Sequence, residues 1–283
     1  MRAQTTIQNP VSCYGIGVHS GSRTQLTLKP AKEDTGIVFV RTDITSLSPY
    51  ILANYANVSE TTLCTTISND AKVKVATIEH LMAAIWGMGI DNLIIELDGE
   101  EVPVMDGSSK PFIFMLECAG EKMLNAPRRQ LKILKEVAFS NKDSEVIIRP
   151  SDSFGINMVI DFESKAIGRQ EREFNAQDSF KDELADARTF GFLHELEYLK
   201  SKGLAKGASL DNAVGIDKDV ILNSEGLRFD DEFVRHKLLD SVGDLFTAGG
   251  FIIGKLDCYK PGHYMNNQLL RKVFEDPGSY QWV

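Results

Sequence analysis

The stretch that decides the fold is residues 77–97, TIEHLMAAIWGMGIDNLIIEL, in which a histidine-bearing helix runs directly into a strand. The helix, predicted over 79–88, is apolar on every side after its first turn, and two glycines end it. Residues 93–97 form a short apolar run that is typical of a buried strand. Because an all-apolar helix must be covered by protein, this helix is predicted to be buried.

The second half of the chain repeats this order in residues 232–253, EFVRHKLLDSVGDLFTAGGFII. A long helix is predicted over 232–248 and a strand over 251–253. We therefore predict a weak internal duplication and the fold class α+β, in which two similar layers each pack helices on a β-sheet. The other predicted strands are 24–28, 37–40, 131–139, 145–148 and 156–162, and the other predicted helices are 111–119, 180–187 and 265–275.

The polar, proline-containing segment 125–129 resembles a joint between domains. It predicts a first domain over 1–126 and a second over 129–283. Residues 193–223 have no counterpart in the first half, so we predict that they form an insertion in the second domain.

Composition excludes several classes of protein. The 283 residues contain 31 Lys plus Arg and 40 Asp plus Glu, a net charge of −9, which argues against a nucleic-acid partner. No apolar run approaches the roughly 20 residues of a membrane span, so stable membrane insertion is not expected. The N-terminus lacks the apolar core of a signal peptide, and the 4 cysteines form no Cys-x-x-Cys pair. We expect a cytoplasmic protein without disulfides.

The helix over 232–248 carries the most informative polar pattern. His236, Asp240 and Asp244 are spaced four residues apart, so they differ by roughly 40° around the helix and share one face. One interpretation is the solvated face of an amphipathic helix. The other is that His236 and Asp240 are metal ligands, as in the helices of zinc proteases.

The first helix supports the second interpretation. Glu79 and His80 stand at the entrance of a helix that is otherwise apolar, where a buried polar pair needs a partner. Thr77 is predicted as the N-cap, and the helix dipole then favours a carboxylate and a neutral imidazole, the form that binds metals. The alternative is a capping glutamate beside a hydrogen-bonded core histidine.

Together the two helices supply a candidate metal centre. His80, His236 and Asp240 would be three protein ligands, the number that a catalytic zinc site uses while keeping one position open. Glu79, next to a ligand, is then a candidate general base. A complete His-Glu-x-x-His motif is absent, since the segment that begins at His194 has tyrosine in the fifth position.

The turn before the last predicted helix contains His263. A lone histidine in a turn is commonly a surface residue. Asp244 lies one helical turn beyond Asp240, and an Asp244–His263 pair would keep that histidine protonated as an acid.

Several motifs in this order resemble the UDP-3-O-acyl-N-acetylglucosamine deacetylases of lipid A biosynthesis. The resemblance covers nearly the whole chain, from about Ser12 to Phe274. The motifs are TIEHL at 77–81, MDGS at 105–108, ARTFGF at 187–192, FVRHK at 233–237 with Asp240, KPGH at 260–263 and the pair Asn266-Asn267.

The resemblance implies two similar domains, each a sheet packed on paired helices, with the active site between them. It implies one catalytic zinc ion, or ferrous iron in cells, held by the three ligands named above, with Glu79 as base. His263 would be the general acid, oriented by Asp244. Thr189 would donate a hydrogen bond to the tetrahedral oxyanion, and Lys237 would add positive charge.

The resemblance also implies the substrate contacts. The insertion at 193–223 would form a tunnel for the acyl chain, Phe162 would stack on the uracil and Lys260 would contact the diphosphate. Many relatives have a lysine where this chain has Ser144, with Lys142 two positions earlier. The expected lining residues of the tunnel are Phe192, Leu193, Leu196, Ala205 and Ala208.

The expected function is zinc-dependent deacetylation of UDP-3-O-(3-hydroxyacyl)-N-acetylglucosamine to the free amine and acetate, an early committed step of lipid A (lipopolysaccharide) biosynthesis. The expected partner is this small-molecule substrate, and the expected state is a monomer. Two alternatives differ in class: a non-catalytic, zinc-containing protein that binds a nucleotide sugar or acyl chain, and a zinc amidase for another acylated amine.

Overall fold

The computed structural model describes residues 2–45 and 48–283. Its helices are α1 (Glu79–Gly87), α2 (Lys110–Ala119), α3 (Phe180–Glu183), α4 (Leu193–Ser201), α5 (Glu232–Phe246) and α6 (His263–Glu275), with a 3-10 turn at Tyr55–Asn57. The strands before residue 128 are β1 (Ala3–Ile7), β2 (Val11–Ile16), β3 (Arg23–Pro30), β4 (Ile37–Arg41), β5 (Tyr50–Leu52), β6 (Val58–Glu60), β7 (Thr66–Ser68), β8 (Lys74–Val75), β9 (Leu93–Leu97) and β10 (Glu121–Pro127). The later strands are β11 (Gln130–Ile133), β12 (Val137–Asn141), β13 (Ser144–Arg149), β14 (Gly155–Asp161), β15 (Arg169–Asn175), β16 (Phe190–Phe192), β17 (Val214–Asp217), β18 (Val220–Ile221), β19 (Phe251–Ile253), β20 (Lys255–Tyr259) and β21 (Tyr280–Trp282).

Two five-stranded sheets have the same topology. The first has the order β2-β3-β9-β4-β5 and the second the order β12-β13-β20-β14-β15. In each sheet the third and fourth strands are parallel, and all other neighbours are antiparallel. The fold class α+β is therefore confirmed. The matching sheets support the predicted duplication, whereas the division into domains at 1–126 and 129–283 stays a prediction.

Helices α1 and α5 pack against each other, and nearly every side chain of both is buried. Helix α2 packs beside α1, and α6 packs beside α5 and against the second sheet. The apolar character of α1 is explained, because its residues after the first turn form part of the hydrophobic core. The solvated-face interpretation of α5 is wrong, because His236, Asp240 and Asp244 are all at most 4% exposed.

Glycine is required where the two central helices are closest. A Cβ atom built at Gly243 of α5 would lie 2.0 Å from the carbonyl oxygen of Glu79 in α1. The two helix backbones are therefore in direct contact at this point, one turn beyond Asp240.

Three local predictions differ from the structure. The strand predicted over 131–139 is interrupted, because β11 pairs with β19 and β21 in a small sheet whereas β12 belongs to the second five-stranded sheet. The helix predicted over 180–187 ends at Glu183, and the chain then turns into β16. The last helix begins at His263, so this residue opens α6 and does not precede it.

The predicted insertion 193–223 contains α4 together with β17 and β18, which join β16 in a three-stranded sheet. Within the described residues, no helix is long and apolar enough to cross a membrane.

Candidate metal centre and active site

The three predicted metal ligands meet where α1 and α5 pack together. His80 lies in the first turn of α1, and His236 and Asp240 lie one turn apart on α5. One nitrogen of each imidazole and one oxygen of the carboxylate all lie within 4.8 Å of one another. All three side chains are buried.

The distances fit a tetrahedral metal ion. Asp240 Oδ1 lies 3.3 Å from His236 Nε2 and 3.5 Å from His80 Nε2. Ligand bonds of about 2.0–2.1 Å at tetrahedral angles place neighbouring ligand atoms about 3.3–3.4 Å apart. Within the described part of the chain, Asp240 Oδ1 is buried without a hydrogen-bond partner. A buried carboxylate oxygen in that state is costly unless a cation is present, so the site fits a metal.

A contact behind His236 orients its ring. His236 Nδ1 lies 3.0 Å from the carbonyl oxygen of Ala187, which can only accept a hydrogen bond. Nδ1 therefore carries the proton, and Nε2 presents its lone pair to the centre. Burial lowers the pKa of His236 to about 3, so the imidazole is neutral, as a ligand must be.

Lys237 is hydrogen-bonded to the carboxylate of Asp240. Its Nζ donates to Asp240 Oδ2 at 2.8 Å. Burial alone would lower the pKa of Lys237, but the carboxylates of Asp240, Asp244 and Glu79 together outweigh burial and raise it, so the ammonium is charged. Burial alone would raise the pKa of Asp240, but His236 and Lys237 hold it well below its usual range.

A second cluster lies beside the ligands. His263 Nδ1 donates to Asp244 Oδ2 at 2.8 Å, and His263 Nε2 lies 3.8 Å from Glu79 Oε1. Burial alone would lower the pKa of His263, but the carboxylates of Asp244 and Glu79 outweigh burial and raise it to about 9. Burial raises the pKa of Glu79. The cluster thus contains a carboxylate with a raised pKa beside a protonated imidazole.

Two residues of this cluster were not assigned a role from the sequence. The main-chain N–H of Thr65 donates to Glu79 Oε2 at 3.0 Å, and its hydroxyl donates to Asp244 Oδ1 at 2.6 Å. Asn266 Nδ2 donates to Asp244 Oδ2 at 2.9 Å. Asn266 could have been found, because it follows His263 by one turn of α6. No periodic pattern points to Thr65.

The predicted cap of α1 is wrong. Thr77 makes no capping hydrogen bond, and Ile78 occupies the N-cap position. The Thr77 hydroxyl instead donates to the buried carboxylate of Glu101 at 3.0 Å.

A cavity of about 360 Å³ opens beside the two clusters. Glu79, His80 and Thr189 are among the polar residues of its wall. The rest of its wall is mostly apolar and includes all five predicted tunnel residues, Phe192, Leu193, Leu196, Ala205 and Ala208. Sequence reasoning missed the wall contributed by the first half of the chain, which is formed by Val18, His19, Leu63 and Val104.

The remaining predicted residues lie outside this wall. Phe162 packs against the rings of Phe190 and Phe192, with centroids 5.7 and 6.2 Å apart. Lys260 Nζ pairs with Asp143 at 3.1 Å and Asp161 at 3.5 Å. Their contacts with uracil and diphosphate stay predictions. In the incomplete motif that begins at His194, the histidine itself is exposed on the surface of α4.

Comparison with known proteins agrees with this geometry. The profile of the family described as UDP-3-O-acyl N-acetylglycosamine deacetylase matches residues 4–275. A UDP-3-O-acyl-N-acetylglucosamine deacetylase from Teredinibacter turnerae is 45% identical over 286 residues, 100% of this chain and 94% of the relative. The proteins of the same name from Phenylobacterium zucineum (46%, covering 98% and 95%) and Vibrio parahaemolyticus (45%, covering 100% and 93%) are equally similar.

Proposed function

The chain belongs to the UDP-3-O-acyl N-acetylglycosamine deacetylase family, and on that premise we propose the reaction, the metal and the role of each residue. The chain is a metal-dependent hydrolase of lipid A biosynthesis that removes the acetyl group from UDP-3-O-acyl-N-acetylglucosamine. The observation that carries the proposal is that the three ligands meet beside Glu79, and that an apolar cavity is lined by both Glu79 and His80. Amide hydrolysis needs the first two, and an acylated sugar needs the third.

Zinc is the metal we propose, held by His80, His236 and Asp240. Two imidazole nitrogens and one carboxylate oxygen, with one position left open, form a donor set of catalytic zinc sites. When bound, zinc would act as a Lewis acid and make water acidic enough to serve as the nucleophile near neutral pH.

Glu79 is proposed as the general base. Its Oε2 accepts from the main chain of Thr65, which leaves Oε1 to take a proton from the attacking water. Burial raises the pKa of Glu79 toward the working pH, which makes the carboxylate a stronger base.

His263 is proposed as the general acid that protonates the departing amine. Its Nδ1 proton is held by Asp244, so Nε2 carries the proton that can be donated. A pKa of about 9 keeps this proton in place at neutral pH. Asp244 is in turn fixed by the Thr65 hydroxyl and Asn266, and it therefore orients the imidazole.

Thr189 and Lys237 are proposed to stabilise the tetrahedral oxyanion. Thr189 lines the cavity, and its main-chain N–H donates to the Gly107 carbonyl at 2.8 Å. Because that contact uses the main chain, the hydroxyl remains for the substrate. Lys237 adds a positive charge beside Asp240.

The cavity is proposed to take the 3-O-acyl chain through the predicted lining residues. Phe162 is proposed to stack on uracil beyond this wall, and Lys260 to contact the diphosphate after releasing its two carboxylate partners. We also propose a monomeric, cytoplasmic protein, and gel filtration would test the first point.

A non-catalytic zinc protein is disfavoured by the donor set. Structural zinc sites usually have four protein ligands. In the described ranges the cluster has three, with a carboxylate and an imidazole suited to acid–base chemistry beside it. An amidase for another acylated amine differs only in its substrate.

The test is acetate release from UDP-3-O-(3-hydroxyacyl)-N-acetylglucosamine before chelation, after chelation and after zinc is restored. Activity that is lost and regained is the expected result. A folded, zinc-loaded protein that releases no acetate from this substrate would overturn the proposal.

A further inference from the structure

Glu101 is a buried carboxylate for which the proposed chemistry has no use. It is 2% exposed and accepts three hydrogen bonds. Its Oε1 accepts from the main-chain N–H of His19 at 2.8 Å and from the hydroxyl of Thr77 at 3.0 Å. Its Oε2 accepts from the main-chain N–H of Ser20 at 2.7 Å.

The two main-chain donors belong to residues 17–20, the 17–20 loop, which lies directly on this carboxylate. A Cβ atom at Gly17 would lie 2.2 Å from Glu101 Oε2, so only glycine permits such a close approach. On its other side the loop joins the insertion: the carbonyls of Val18 and His19 accept from the N–H groups of Gly207 at 3.0 Å and Lys206 at 3.1 Å.

These contacts form one wall of the cavity. Val18 and His19 of the loop and Ala205 and Ala208 of the insertion all line it. The loop comes from the first half of the chain and the insertion from the second, so this part of the wall forms where the two halves meet. The loop carries no large apolar anchor other than Val18, and its place depends on main-chain hydrogen bonds, of which Glu101 accepts two.

We propose that Glu101 is a positioning residue that holds the 17–20 loop against the insertion. It thereby keeps this side wall of the acyl tunnel intact. The inference rests on the proposed function in that the cavity takes the acyl chain. An ionised carboxylate can accept all three hydrogen bonds. A glutamine has one acceptor oxygen, and its NH₂ group would face a main-chain donor. Glu101→Gln therefore loses a loop contact with little change in volume.

The test compares kcat and KM of Glu101→Gln and the parent protein on substrates with a long, a short and no 3-O-acyl chain. We expect KM for the long-chain substrate to rise about tenfold, the effect of leaving one buried donor unpaired. The substrate without the chain should be processed at the parent rate. An equal loss of kcat/KM on all three substrates, or no loss of kcat/KM on any of them, would overturn the inference.

Glu96→Gln is the matched control. Glu96 lies five residues earlier, on β9, and pairs with Lys29 at 2.6 Å away from the cavity. Glu96→Gln should leave kcat and KM unchanged on all three substrates. If Glu101→Gln does not fold, Gly207→Ala tests the same contact, because its Cβ atom would lie 2.3 Å from the Gly17 carbonyl oxygen.

Calorimetric titration with a free long-chain fatty acid separates this inference from the proposed function. Weaker binding by Glu101→Gln than by the parent supports the inference even if neither protein releases acetate. Equal binding overturns it whatever the acetate assay shows.

Discussion

Replacing Gly243 by alanine should separate the two helices that carry the metal ligands. The added Cβ atom would lie 2.0 Å from the carbonyl oxygen of Glu79 and 3.1 Å from the main-chain nitrogen of Ala83, whereas ordinary contact begins near 3.4 Å. Both neighbours are helical backbone, which cannot rotate aside as a flexible side chain could. The helices must therefore move apart locally by about 1.4 Å.

That displacement is large for a metal centre. His80 is on α1 and Asp240 is on α5, and His80 Nε2 lies 3.5 Å from Asp240 Oδ1. Gly243 is one turn from Asp240 on α5. Such sites tolerate errors of only about 0.5 Å, and a 1 Å misplacement can reduce turnover about 100-fold. We expect zinc affinity to fall at least ~10-fold, kcat/KM about 100-fold, and stability by about 1–3 kcal/mol.

Zinc affinity would be measured by competition with a chromophoric chelator, and stability by denaturant unfolding of the metal-free protein. Gly120→Ala is the matched control: its positive φ of 74° should cost a similar 1–3 kcal/mol, but among the described residues the atom nearest to its Cβ atom is 3.6 Å away. Parent-like zinc affinity in a folded Gly243→Ala protein would refute the argument. So would an equal loss of affinity in Gly120→Ala.

Four further outcomes are expected. Glu79→Ala should keep the metal and lose turnover by about 10²–10⁴-fold, and an unchanged rate would remove its assignment as base. His236→Ala should lose both zinc and activity, so full zinc occupancy would exclude it as a ligand. Thr65→Val should lower kcat about tenfold at full zinc occupancy, because it loses the hydroxyl bond to Asp244 but keeps the main-chain bond to Glu79, and Thr65→Ser should restore the rate. The carboxylates of Asp244 and Glu79 raise the pKa of His263, so kcat should fall on the alkaline side as this residue loses its proton. In the metal-free protein, where that pKa is about 9, the stability that its charge contributes should be complete below about pH 6.5 and lost as pH passes 9. A His263→Gln protein with the same two pH profiles would contradict that assignment.

The sequence by itself determined the parts of the site that lie within one element. Helical periodicity places His236 and Asp240 on one face, and the apolar run after His80 requires a buried helix. Local order of strands and helices also predicted the fold class. These features depend on neighbours three or four residues away, and such neighbours leave a repeating pattern in the chain.

Only the tertiary structure decided how those elements meet. Thr65 binds Asp244 across 179 positions of sequence, and Glu101 binds the 17–20 loop across about 80. The Ala187 carbonyl that orients His236 lies in a segment that the sequence predicts as helix, but α3 ends at Glu183. Long-range hydrogen bonds and close backbone contacts such as that at Gly243 have no periodic signature, since they are set by the packing of distant segments and not by the neighbours of each residue.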